Sequence, residues 1–279
     1  MRGLRLLVFA SMLTGSFMKK SSAPAPLPDD AIPPKRIAKK GLGCWNTLTT
    51  PSELSDLHLG WYYNWRPFQK IAPVPGVEFV PMFWGAMDVI PEHLDAVRQS
   101  HATHVLGFNE PDMSSQSNLT PEECLASWPK LMDLKQLLGS PAPATASWLD
   151  KFMPEAQRRG LRVDFICLHK YPDISDPSAL DQIEEMLENA YRKFSLPVWF
   201  TECGAADVTA WHQAQLKKPT PEMAHEFMKK LLPMLERLPF VERYAWFTDR
   251  AADEYKLGSI FDPDAHRLTK IGEIYRDGL

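Results

Sequence analysis

From residue 39 onward, short apolar runs alternate with amphipathic or polar segments. Eight runs stand out: Gly41–Asn46, Leu59–Trp65, Glu78–Trp84, His104–Glu110, Leu137–Ala144, Val163–Tyr171, Pro197–Gly204 and Val241–Thr248. They are near-continuous in apolar character rather than alternating, the pattern of strands buried on both faces of a parallel sheet. Between the later runs the apolar positions recur every three or four residues. Leu180, Ile183, Leu187, Ala190 and Phe194 form one such stripe, and Met223, Phe227, Leu231, Met234 and Leu238 form another, so each segment buries one helical face. Thr120-Pro121-Glu122-Glu123 supplies an N-cap Thr, a proline in the first turn and a reciprocal Glu, predicting a helix that runs to about Leu138. Thr220-Pro221 repeats that start, and Pro233 predicts a kink further along.

Strand followed by helix, repeated eight times over about 240 residues, predicts an α/β protein built as a single (β/α)8 TIM barrel spanning residues 39–279. Two places depart from the ideal. The connections Thr47–His58 and Arg66–Val77 are proline-rich and lack helical period, so the helices after strands one and two are expected to be short or missing. Pro81 inside the third run argues for a bulge or a shortened strand there. An open doubly wound sheet is the competing architecture, but no glycine-rich phosphate turn follows the first run.

Ahead of the barrel, Arg2 and Arg5 precede an apolar stretch from Leu6 to Met18. Residues 1–20 therefore read as a signal peptide, too short to span a bilayer comfortably, and imply a secreted or periplasmic protein. Residues 21–38 read as a proline-rich linker. With 31 Lys+Arg against 35 Asp+Glu, the net charge of −4 offers no electrostatic case for nucleic acid. Cys44, Cys124, Cys167 and Cys203 contain no C-x-x-C pair, and their apolar settings favour buried free thiols over disulfides. His101 and His104 begin an apolar run without a carboxylate cluster, so no metal and no cofactor are expected. A monomer is expected, with no membrane contact beyond the leader.

Nine Trp and an aromatic fraction of 11% are high, and they gain meaning at the strand ends, where β/α barrels carry their chemistry. The run ends read Cys44-Trp45-Asn46, Asn64-Trp65-Arg66, Phe83-Trp84-Gly85, Phe108-Asn109-Glu110-Pro111-Asp112, His169-Lys170-Tyr171, Thr201-Glu202-Cys203-Gly204 and Trp246-Phe247-Thr248-Asp249. Glu110 and Glu202 each end a run that otherwise excludes carboxylates, and a barrel brings them face to face. Pro111 should hold Glu110 extended, out of the helical region. Glycosidic cleavage needs such a pair, one as acid and one as nucleophile or base. The plainer alternative is a polar turn at Asn109–Asp112 and a salt-bridge partner at Glu202. Against it stand Trp45, Trp65, Trp84 and Trp246 beside Asn46, Asn109, His169 and Tyr171 on one rim, because sugars pack C–H faces on indole while their hydroxyls need fixed polar partners. Trp199 is expected in the core.

Gly107-Phe108-Asn109-Glu110-Pro111-Asp112, Val163-Asp164-Phe165 with His169-Lys170-Tyr171, and Trp199-Phe200-Thr201-Glu202-Cys203-Gly204 resemble the signatures of glycoside hydrolase family 128, a group of β-1,3-glucanases. The resemblance extends from about Lys40 to Tyr275 and implies a modified barrel of the large retaining clan that acts on β-1,3-glucan. Carried over by position, it makes Glu110 the acid/base and Glu202 the nucleophile. Asn109 would bond the sugar 2-hydroxyl, Tyr171 or His169 would orient Glu202, and Trp246 would floor the sugar being cleaved. Cys203 departs from the family, where an aromatic such as Phe is more usual. Two other readings stay open at this point: a retaining hydrolase of β-1,4-glucan or mannan, and a glucan-binding protein without turnover. A retaining enzyme should hold its carboxyl groups about 5–5.5 Å apart, an inverting one about 6.5–9.5 Å.

Overall fold

The computed structural model describes residues 38–45, 48–207 and 216–278; the expected leader, the linker up to residue 37, and Asn46 lie outside them. The described residues between 38 and 278 make one compact unit. Its strands are β1 Lys40–Gly43, β2 Trp61–Tyr63, β3 Glu78–Phe79, β4 His104–Val105, β5 Leu137–Leu138, β6 Ile166–Lys170, β7 Val198–Cys203 and β8 Val241–Trp246. Each overlaps one of the eight apolar runs and is shorter than it.

All ladders are parallel. One sheet has the order β3-β2-β1-β8-β7-β6, and β4 pairs with β5. Single parallel bridges, Met82↔Leu106 and Gly139↔Phe165, connect the two sets. The strands thus follow one another in the ring order of a TIM-barrel-like fold. Pro81 explains the brevity of β3: it has no N–H to donate, while its carbonyl accepts from Leu106 N–H at 2.9 Å.

The helices are α1 Pro51–Asp56, α2 Pro91–Gln99, α3 Pro121–Met132, α4 Leu149–Arg158, α5 Ala179–Phe194, α6 Pro221–Arg237 and α7 Lys270–Asp277. After β1 comes only the six-residue α1, and no helix separates β2 from β3, as the proline-rich connections predict. Thr120 and Glu123 close the expected capping box on α3. That helix stops at Met132 rather than near Leu138. Arg162 draws the chain away by donating to the carbonyls of Leu134 (2.9 Å) and Gln136 (3.0 Å), and Leu137 must pair with His104. α6 continues through Pro233.

Packing sorts the residues into two layers. Leu42, Tyr62, Ile166, Leu168, Phe200 and Tyr244 point outward into the core shared with the helices. Trp61, Tyr63, Trp65, Phe165, Cys167, Trp199 and Ala245 alternate with them and fill the barrel interior. Trp199 is wholly buried there, against Phe165 at 4.2 Å and Trp61 at 5.0 Å between ring centroids. Gly43 admits Trp65, because a Cβ at that position would stand 2.7 Å from its ring. All four cysteines are buried and free, and burial pushes each thiol up from its ordinary value.

Candidate active site

Strict alternation along β7 would send Glu202 outward, because Trp199 faces the barrel interior and Phe200 faces the helices. It faces inward because the ladder slips. Leu168 pairs with Phe200 but His169 pairs with Glu202, which leaves Thr201 as an extra residue, and the register against β8 shifts over the same stretch. Such a bulge re-aims the next side chain. Cys203 accordingly joins the outer core.

Once turned inward, Glu202 is buried among donors. Trp65 Nε1–H donates to its Oε1 at 2.9 Å, with the Tyr63 hydroxyl 3.2 Å from the same oxygen. Tyr171 donates to Oε2 at 2.7 Å. Trp65, supplied by the chain just beyond β2, reaches the carboxylate from a left-handed backbone, φ +54. Glu110 also sits at positive φ, +37. This corrects the expected extended conformation: Pro111 does exclude the right-handed helical region, but the chain takes the left-handed one. Non-glycine residues held there cost roughly 1–3 kcal/mol and cluster at functional sites.

His169 lies between the two carboxylates, its Nδ1 3.1 Å from Glu110 Oε1 and 3.6 Å from Glu202 Oε2. One ligand atom from each of Glu110, His169 and Glu202 can be chosen so that all lie within 4.8 Å of one another. Burial raises the Glu202 pKa; the neighbouring His169 and the hydroxyl and indole donors oppose it, the Glu110 charge adds to it, and the net direction is up. Burial alone would lower His169, but the charges of Glu202 and Glu110 outweigh it and raise its pKa. Two carboxylates and a bridging imidazole can hold one proton ready for a leaving group while keeping a second carboxylate aimed at a carbon.

The other predicted residues fall into distinct positions. Asn109 is buried beside Glu110; its Nδ2 donates to Gln116 Oε1 at 3.1 Å, and its Oδ1 meets no partner among the described residues. Trp84 is half-buried against the interior cluster. Trp45 remains 67% exposed, edge-on to Trp65 at 5.6 Å. Trp246 does not floor a sugar: it is 1% exposed, packs outward in the core near Tyr275, and donates its indole N–H to Gly258 O. Alternation along β8 turns Phe247 to the site instead, where it meets Trp65 (5.5 Å), Tyr171 (5.7 Å) and Tyr255 (4.7 Å). Tyr63, Phe247, Tyr255 and Gln116 were not predicted. For Tyr63 a signal existed, since it lies two residues from both Trp61 and Trp65.

Residues 41–275 match the glycosyl hydrolase catalytic core family. A family 128, subgroup I endo-β-1,3-glucanase from Amycolatopsis mediterranei, solved with laminarihexaose, is 32% identical at a TM-score of 0.76, covering 85% of this chain and 98% of that one. The chain belongs to glycoside hydrolase family 128. A subgroup III, curdlan-specific exo-β-1,3-glucanase of the family from Blastomyces gilchristii, solved with glucose, is 26% identical at a TM-score of 0.67, with 86% and 97% covered. Alkali-sensitive linkage protein 1 of Schizosaccharomyces pombe is 29% identical over 229 residues, 78% of this chain. The family 128 chain spans 40% of the length of that curated relative.

Proposed function

We propose that this glycoside hydrolase cleaves β-1,3-glucan with retention of anomeric configuration, Glu202 acting as nucleophile and Glu110 as acid/base. The observation that carries this reading is the pairing of the two carboxylates across His169, with oxygens within 4.8 Å. That close approach of one oxygen from each carboxylate accords with the ~5–5.5 Å carboxyl separation of retaining enzymes. The donors around Glu202 favour its ionised form, which a nucleophile needs. In the first step a Glu202 oxygen bonds the anomeric carbon, the glycosidic C–O bond breaks, and Glu110 gives its proton to the departing oxygen. In the second, water attacks the same carbon, Glu110 takes up its proton, and Glu202 is released. Asn109 Oδ1, without a partner among the described residues, suits the sugar 2-hydroxyl, and Tyr63, Trp65, Tyr171 and Phe247 pack together around Glu202.

The β-1,3 preference is supported by the family 128 relatives, described as β-1,3-glucanases. We further place the enzyme outside the cytoplasm, on the strength of the Arg2, Arg5 and Leu6–Met18 leader pattern. Reducing ends released from laminarin, lichenan and mannan by the unmodified protein and by Glu202→Gln test the reading. Laminarin should be cleaved and mannan left intact, with cleavage abolished by the substitution. Cleavage of mannan in preference, or binding of laminarin with no product at all, overturns it.

A further inference from the structure

Trp45 lies just beyond β1 with its indole largely in solvent, yet its backbone is tied to a wholly buried carboxylate. Its N–H donates to Asp249 Oδ1 at 3.0 Å. The same oxygen accepts from the Thr248 hydroxyl at 2.9 Å, and Oδ2 accepts from the Thr49 hydroxyl at 2.6 Å. Thr49 Oγ1 in turn accepts from Arg250 at 2.7 Å, and Arg250 is paired with Glu53 at the first turn of α1. The Asp249 amide itself donates to Gly43 O. The segment after β1 is thereby clasped to the segment after β8, two strands that are neighbours in the sheet. Burying a carboxylate is costly unless its lone pairs are met, and here hydroxyl and amide donors on both sides of the seam meet them.

The clasp leads to the catalytic pocket by a short path. Trp45 stands edge-on to Trp65 at 5.6 Å, and Trp65 donates to Glu202. An exposed indole beside Trp65, on a backbone held by Asp249, offers an apolar surface with part of the ordering cost of binding already met. We propose that Asp249 is a positioning residue that fixes Trp45 as the platform on which a glucose residue next to the cleaved bond stacks. This rests on the proposed glucanase function, and Asp249 touches no sugar itself.

The test has a binding and a substrate-free reading. In the Glu202→Gln background, which stops turnover, laminarihexaose binding is measured calorimetrically for Asp249→Asn, Trp45→Ala and both together. Each single change should weaken binding about tenfold, roughly the worth of one stacked ring. The pair should weaken it no more than either alone, because both remove the same contact. With Glu202 present, Asp249→Asn should raise KM about tenfold and lower kcat by less than about threefold. Separately, 5-fluorotryptophan labelling lets the Trp45 signal, assigned by Trp45→Phe, be followed by fluorine NMR in Asp249→Asn. Should that variant fail to fold, Thr49→Val removes the Oδ2 bond, together with the Arg250 bond to the same hydroxyl. The Trp45 signal should shift or broaden while the buried Trp199 and Trp246 signals hold. An unchanged Trp45 signal, a full hundredfold additive loss, or a fall in kcat at unchanged affinity overturns the assignment. If the unmodified protein neither binds nor cleaves laminarihexaose, the glucanase reading fails, and the fluorine signal still decides the clasp.

Discussion

The barrel interior holds a carboxylate and a histidine near each end, and the two clusters are wired in opposite ways. Near the start of the strands, Glu78 is paired with Arg243 at 2.7 Å, accepts from the Thr103 N–H and hydroxyl at 2.8 and 2.7 Å, and lies 3.6 Å from His104. Arg243 is stacked over Trp199 at 4.4 Å. At the opposite end, Glu110 and Glu202 share one histidine, and no Lys or Arg pairs with either among the described residues. Burial tends to raise Glu78, but its hydrogen bonds and the guanidinium win and hold it well below the ordinary carboxylate range. Burial wins at Glu202. A cancelled charge serves the fold, and an uncancelled pair in a cleft is available for chemistry.

Removing a carboxylate at each end should break different things. Glu110→Gln should cut kcat by about 10²–10⁴-fold, the usual worth of general acid–base catalysis, and Glu202→Gln by at least as much, both with an unchanged melting temperature. Steady-state rates on laminari-oligosaccharides and calorimetric melting check this together. Arg243→Met should do the reverse. It leaves Glu78 buried without its partner, so stability should fall by about 3–5 kcal/mol in urea titration, while kcat at temperatures where the protein stays folded is unaffected.

A smaller change sharpens the contrast within the site. Trp65→Phe keeps an aromatic side chain but deletes the N–H on Glu202, a bond to a charged group worth about 1.5–3 kcal/mol, so kcat should fall roughly 10–100-fold. Loss of that donor disfavours the ionised carboxyl. The acidic limb of the kcat/KM profile, already above 4.5 because Glu202 is raised, should therefore move to still higher pH. The alkaline limb should follow the His169 proton and lie above 6.5, in line with the raised His169.

Most of the fold was legible because strands buried on both faces leave continuous apolar runs, and prolines mark where helices start or fail. The same continuity hides which face each residue takes. Trp246 therefore read as a rim residue, although its neighbours Arg243 and Ala245 take the interior and leave it outside. The inward aim of Glu202 depends on the extra residue at Thr201, which no pattern in an apolar run displays. Glu110 was legible by type but not by conformation, since Pro111 excludes one backbone region without choosing between the two that remain.

The smallest expected effect concerns acid stability. Glu78 has a folded pKa below its unfolded value, so its contribution is present above about pH 4.5 and is lost as pH falls toward the folded value. The melting temperature should drop on acidification through that window, and Glu78→Gln should flatten the slope. An unchanged slope would remove Glu78 from the structural end of the comparison.

Proton NMR of the first anomer released from laminarihexaose tests the two-glutamate mechanism most directly. Double displacement through Glu202 produces the β-anomer first, with the α-anomer appearing only as the sugar mutarotates. Initial release of the α-anomer would mean direct attack by water and would contradict the roles assigned to Glu110 and Glu202.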